Sequence, residues 1–149
     1  MRSNPQFEAL QARLSGQTVT DRQLAGNSLS ISVSAGAGAS PRYTIWLEPT
    51  WHLVGPGGVL AGSRQAQDEE EPSGWAAVTV ALDALLGRII EALELDVLTG
   101  DLSVILSGGL IARTFVTDPR DRDLWVIRDL STDQRLEGGA KATIVDRDA

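Results

Sequence analysis

Cysteine is absent from this 149-residue chain, and histidine occurs once, at His52. The first absence removes disulfides, thiolate nucleophiles and thiolate-held zinc together. The second removes any metal site built from a histidine pair within one chain. Lysine is down to Lys141 alone, so the remaining basic side chains are arginine. No segment reaches the roughly 18 uncharged apolar residues of a membrane helix. Residues 1–16 carry Arg2, Glu8 and Arg13 among their apolar positions and lack the unbroken apolar core of a secretion signal. These absences predict a cytoplasmic protein with no membrane partner and no cofactor.

The composition that is present is that of an ordinary globular domain, with 42% hydrophobic and 22% charged residues. A chain of this length buries a substantial core, and a single domain over 1–149 is expected. The formal net charge is −7. Such a surface repels nucleic acid and anionic membranes and is complementary to a basic protein, although acidity also serves solubility alone.

Along the chain the apolar period changes several times. Phe7, Leu10 and Leu14 form one helical stripe over residues 4–14, with Ser3 as a cap, Pro5 in the first turn and Gly16 as the stop. Strand patterns follow over 19–24, then at Leu29, Ile31 and Val33, which alternate with serines. Tyr43, Ile45 and Leu47 alternate again, and residues 51–54 make a fourth short strand ended by Gly55, Pro56, Gly57 and Gly58. Residues 62–73 offer little to bury and read as an acidic linker. A second helix, capped by Ser73, runs through Trp75, Val78, Leu82 and Leu85 to Gly87, although β-branched Val78, Thr79 and Val80 oppose it. Strand patterns resume over 88–96, 102–106, 110–116 and 124–127. The tail, 131–149, adds one edge strand over 141–145.

The second series repeats the first. Setting Gly16 against Gly87 sets Phe7 against Val78, Leu14 against Leu85, Val19 against Ile90 and Leu24 against Leu95. With two residues inserted, Leu29, Ile31 and Val33 then meet Leu102, Val104 and Leu106. Further on, Trp51-His52-Leu53 falls opposite Trp125-Val126-Ile127. The expected architecture is α+β: two degenerate helix-plus-antiparallel-strand repeats, about 4–61 and 74–130, packed as one domain. One helix and about four strands are too few for a dry core, so the halves must pack together into two antiparallel sheets or one partly closed sheet.

Few residues carry chemistry. His52 sits opposite two large apolar neighbours in its strand; a role as general base competes with a surface position, and no Gly-x-Ser-x-Gly elbow supplies a nucleophile. Asp118, Asp121 and Asp123 cluster within six residues, but Arg120 and Arg122 neutralise them and the turn glycine and distal glutamate of a calcium loop are missing. That cluster reads as a solvated hairpin tip, and no metal site is assigned. The glycines at 36–38 and 55–58 lack the lysine and helix of a phosphate loop. The acidic run Asp68, Glu69, Glu70 and Glu71 is either a solvated loop or an electrostatic lure for a cationic partner. Trp46, on the strand face opposite Ile45 and Leu47, is either the aromatic anchor of an interface or part of a second buried face.

The helix ends Leu14-Ser15-Gly16 and Leu85-Leu86-Gly87, each followed by alternating strands and a Trp-x-Leu or Trp-x-Ile, resemble small bacterial proteins with duplicated strand units, some of which resemble immunity proteins of toxin systems. The resemblance runs from about Phe7 to Ile127. It implies a non-enzymatic protein-binding module that inhibits a bacterial toxin by covering a basic domain; no individual functional residue is carried over from it. Trp46, Asp68–Glu71, Asp118, Asp121 and Asp123 are the partner-binding candidates read from the residues themselves. Two alternatives stand beside this one: a small-molecule-binding β domain with a pocket between the halves lined by Trp46, Trp51, Trp75 or Trp125, and a homodimer joined through an edge strand.

Overall fold

The computed structural model describes residues 4–36, 38–67, 74–140 and 143–148. Ser3, Ser73, Lys141 and the acidic run Asp68–Glu71 lie outside them. The first helix, α1 (Pro5–Leu14), starts from Asn4, whose Oδ1 accepts the Phe7 backbone N–H at 2.9 Å. This is an N-cap at the residue ahead of a helical proline, where the missing N–H costs nothing. Four strands expected from the alternating pattern follow: β1 (Thr18–Ala25), β2 (Ser28–Ser34), β3 (Tyr43–Leu47) and β4 (Trp51–Gly55).

Next come β5 (Gly58–Gly62) and a short helix, α2 (Ser63–Ala66), where sequence reading put turn and linker. Ala61, Ser63 and Ala66 are buried there, and the Ser63 hydroxyl accepts the Trp51 backbone N–H at 3.0 Å. The second helix, α3 (Gly74–Ala81), tightens into a 3-10 turn over Leu82–Leu85. The remaining strands are β6 (Ile90–Leu95), β7 (Leu102–Leu106), β8 (Leu110–Thr114), β9 (Trp125–Asp129), β10 (Gln134–Gly139) and β11 (Thr143–Asp148). The tail beyond residue 130 therefore supplies two strands, not one.

The described residues form two antiparallel sheets beside these helices, an α+β fold. The six-stranded sheet runs β1-β2-β3-β9-β10-β11 and the five-stranded sheet β5-β4-β8-β7-β6. Each half of the chain thus builds three strands of one sheet and then crosses to complete the other. β4 and β5 join β8, whereas β9 and β10 join β3. The correspondence between halves extends to hydrogen bonds. Bulges interrupt β1 between Val19 and Asp21 and β6 between Ile90 and Ala92. Gly16 N–H donates to the Ile90 carbonyl at 2.8 Å and Gly87 N–H to the Val19 carbonyl at 2.9 Å; Val19 N–H meets Arg88, and Ile90 N–H meets Gln17. At the crossovers, Glu48 N–H donates to Leu124 and Phe115 N–H to Thr50, both at 2.8 Å.

One apolar core draws on both sheets and on α1, α3 and its 3-10 extension. Trp51 and Trp125, fully buried, hold equivalent places in it. The Trp51 indole N–H donates to the Asn27 carbonyl in the β1–β2 turn, and that of Trp125 to the Gly100 carbonyl before β7. Each crossed strand is thereby tied back to the hairpin of its own half, and a buried indole finds the acceptor it requires. Phe7 of α1 meets the Trp125 ring edge-on, with centroids 6.1 Å apart. Among the described residues no helix is long and apolar enough to cross a membrane.

Candidate functional site

The partner-binding candidates within the described residues fall around one end of the six-stranded sheet. Ile45 and Leu47 fill the core, so Trp46 between them projects from the outer face, half-buried. Its cross-strand neighbours are Ser30 on β2 and Val126 on β9, and Val126 in turn faces Glu137 on β10. The Trp46 indole N–H donates to Glu48 Oε1, while Glu48 Oε2 accepts the Ser28 hydroxyl. The indole is thus fixed in orientation by a carboxylate that is itself held, which lowers the entropy lost when such a side chain is covered.

Asp118, Asp121 and Asp123 do not form a hairpin tip. They lie on the crossover from β8 in one sheet to β9 in the other, because the strand after β8 pairs across the molecule instead of folding back beside it. Asp121 Oδ2 accepts the backbone N–H groups of Thr117 and Asp118, both at 3.1 Å, and the Asp121 carbonyl accepts Ala140 N–H. The loop also lies close over β10: a Cβ on Gly139 would come within 3.0 Å of Arg122 Cα. Asp118 pairs with Arg120, whose hydrogen bonds hold its carboxyl below the usual carboxylate range. Asp123 is exposed, and Val126, the neighbour of Trp46, lies three residues beyond it. Three residues span at most about 11 Å, so Asp123 lies within that reach of Val126. The structure therefore brings Trp46, Glu48, Glu137 and this loop to one end of the sheet. Among the described residues no group of carboxylates or histidines is arranged to hold a metal ion.

His52 lies elsewhere, on the outer face of the five-stranded sheet, in a row with Arg113 and Ser103. Arg113 Nε donates to His52 Nε2 at 2.7 Å, and the Phe115 ring stands edge-on to the imidazole at 4.1 Å. Burial, reinforced by the neighbouring guanidinium, holds the His52 pKa below its ordinary value. The nitrogen a general base would use is therefore engaged by a permanent cation.

Of the four tryptophans, Trp51 and Trp125 are scaffold, and the half-buried Trp46 belongs to an outer face. Trp75, 44% exposed, lines a groove between α3 and β1 with Arg22, Leu24 and Leu82. This groove lies between the two halves and is lined by one of the four tryptophans. Comparison with protein-family models, with curated proteins and with solved structures yields no match to this chain.

Sequence reading had no signal for Glu48 or Glu137. Glu48 follows β3 as an ordinary loop residue, and Glu137 lies in what reads as tail. Glu48 is two residues from Trp46 and bonds its indole directly, whereas only the pairing of β3 with β9 and β10 brings Glu137 into the Trp46 row.

Proposed function

We propose that this chain is a non-enzymatic protein-binding module that recognises a basic partner through the Trp46 end of the six-stranded sheet, most concretely as an immunity-type inhibitor acting in the bacterial cytoplasm. One observation carries the reading: a half-buried tryptophan, fixed by Glu48, with the aspartate loop at the same sheet end. Aromatic anchors in partly desolvated settings dominate binding energy, while surrounding charges set encounter rate and partner choice. An inhibitor of this kind acts by covering another protein's working surface. The net charge of −7 adds long-range attraction for a cationic toxin domain.

Co-expression pull-down with the proteins encoded beside this gene tests the proposal. A retained partner should associate more slowly as salt is raised. Trp46→Ala should weaken its binding by about 2 kcal/mol or more, roughly thirtyfold, with unchanged circular dichroism. If no neighbouring product is retained and cells expressing it gain no protection, the immunity reading fails.

A further inference from the structure

The internal repeat provides a control for the surface of the molecule: a position that serves the scaffold alone should carry comparable chemistry in both halves. One register row on the outer faces of the two sheets departs from that rule at every strand. On the six-stranded sheet it runs Asp21, Ser32, Thr44, Arg128 and Arg135 across β1, β2, β3, β9 and β10. On the five-stranded sheet the equivalent row runs Ala92, Ile105, Ile111, Val54 and Val59 across β6, β7, β8, β4 and β5. The equivalence follows from setting Val19 against Ile90, Leu29 against Leu102 and Trp51 against Trp125, and each row begins just after the bulge of β1 or β6. Five polar residues in one sheet thus answer to five apolar residues in the other.

An antiparallel sheet with one wet face alternates apolar inward and polar outward. The six-stranded sheet obeys this with Ser32 and Thr44, whereas Ile105, Ile111 and Val54 break it in β7, β8 and β4. Their inward neighbours Val104, Ala112 and Leu53 are fully buried, but Ile105, Ile111, Val54 and Ala92 are only half-buried and Val59 is 65% exposed. The helices send their buried residues into the core and leave this face open among the described residues. At about 4.8 Å between strands, the stripe is about 19 Å long. A contiguous apolar surface bordered by polar groups marks a place where another molecule is bound.

The bordering charges identify that molecule. The next row along the strands holds Glu94 on β6, Ser103 on β7 and Arg113 on β8. Glu94 is exposed and has no hydrogen-bond or ion-pair partner among the described residues. Arg113 is held in place by its bond to His52 and by the Phe115 ring, with Cζ 5.6 Å from the ring centroid, but no carboxylate among the described residues pairs with it. The two unpaired charges, opposite in sign, therefore flank β7 in one row. A half-turn about an axis close to β7 exchanges β6 with β8. It sets Glu94 of each copy opposite Arg113 of the other, Ile105 against Ile105, and the small Ala92 against Ile111.

We infer that a second copy of this chain covers the stripe, the two five-stranded sheets packing face to face about that twofold axis. Val54 and Val59 extend the apolar surface at the margin of the contact. A face of this size lies at the low end of specific interfaces, which places the dimer in the micromolar range. Trp46 lies on the other sheet, so the inference stands apart from the proposed function.

Sedimentation equilibrium of the full chain from about 1 to 500 µM tests it, and the native chain should dimerise with a Kd of about 100 µM or tighter. Ile105→Glu and Ile111→Lys should each weaken the dimer by about tenfold or more with unchanged circular dichroism. Ser32→Glu, at the position equivalent to Ile105, should leave the Kd within about twofold. Glu94→Arg and Arg113→Glu should each weaken the dimer by about tenfold, and the chain carrying both exchanges should return to within about threefold of the native Kd, a recovery that a merely damaged fold would not show. The inference is overturned if the native chain stays monomeric at about 500 µM, if the Ile105 and Ile111 variants dimerise like it, if the double exchange dimerises no better than the single ones, or if Ser32→Glu disrupts the dimer. A monomeric chain that instead retains a different protein, and loses it on Ile105→Glu, assigns the stripe to that protein and likewise overturns the second copy.

Discussion

At the residue scale, two positions show how a close neighbour sets the behaviour of a single residue. His52 accepts a hydrogen bond from Arg113, so protonating it would place two cations at hydrogen-bonding distance. Its folded pKa lies below the unfolded value, through burial first and Arg113 second. Between the two values the unfolded chain binds more protons than the folded one, so this histidine's contribution to stability is complete above about pH 6.5 and declines as pH falls toward the folded pKa. The imidazole resonances of the chain's one histidine should titrate below pH 6.5 in NMR, and His52→Gln should flatten urea-measured stability across about pH 5–7. Gly138 is the other case. It faces Trp125 across the β9–β10 pair, and a Cβ there would fall inside the indole. Gly138→Ala should cost about 1–3 kcal/mol by overpacking, read as a lower urea midpoint with unchanged slope.

At the element scale, the two helix ends are the same device used twice. Gly16 and Gly87 have φ of 88° and 80°, and their N–H groups bond reciprocally to Ile90 and Val19 at the junction of β1 and β6. A Cβ at either position meets nothing within 4 Å, so an alanine there is penalised by backbone conformation alone. Gly16→Ala and Gly87→Ala should each lose about 1–2 kcal/mol in denaturant unfolding, by amounts that agree within error. These glycines were legible in sequence, as were α1 and the strands whose alternation is strict, such as β2 and β3. β5 was not, because Val59 and Leu60 are bracketed by glycines and carry no alternation. β10 was hidden likewise: its Gly138 and Gly139 lower strand propensity, and the first is required by Trp125 on the adjacent strand β9. In α3, burial of Val78, Leu82 and Leu85 overcomes the β-branched run, while the last turn tightens to 3-10 form.

At the scale of the whole molecule, exchange of strands makes the halves interdependent. Neither half owns a sheet: β4 and β5 of the first complete the sheet that β6, β7 and β8 begin, and β9, β10 and β11 of the second complete the other. Fragments 4–67 and 74–148 expressed separately should therefore lack stable structure by circular dichroism, and mixing them should restore a folded heterodimer. The intact chain should unfold in one transition, with tryptophan fluorescence and far-ultraviolet circular dichroism coinciding in urea, because Trp51 and Trp125 each bridge both sheets. A separate earlier transition for one half would contradict this.

The amino-acid sequence by itself determined the α+β class, the helix stops at Gly16 and Gly87, the correspondence of Trp51 with Trp125 and the acidic charge. All of these follow from local periods, turn residues and composition, which need no knowledge of distant neighbours. Only the tertiary structure decided which sheet each crossed strand joins, since an alternating strand buries the same face beside either set of partners. That choice places Glu137 in the Trp46 row and turns the aspartate segment from a hairpin tip into a crossover. Long-range pairing creates sites whose residues share no sequence neighbourhood, and so leaves them without a local signal.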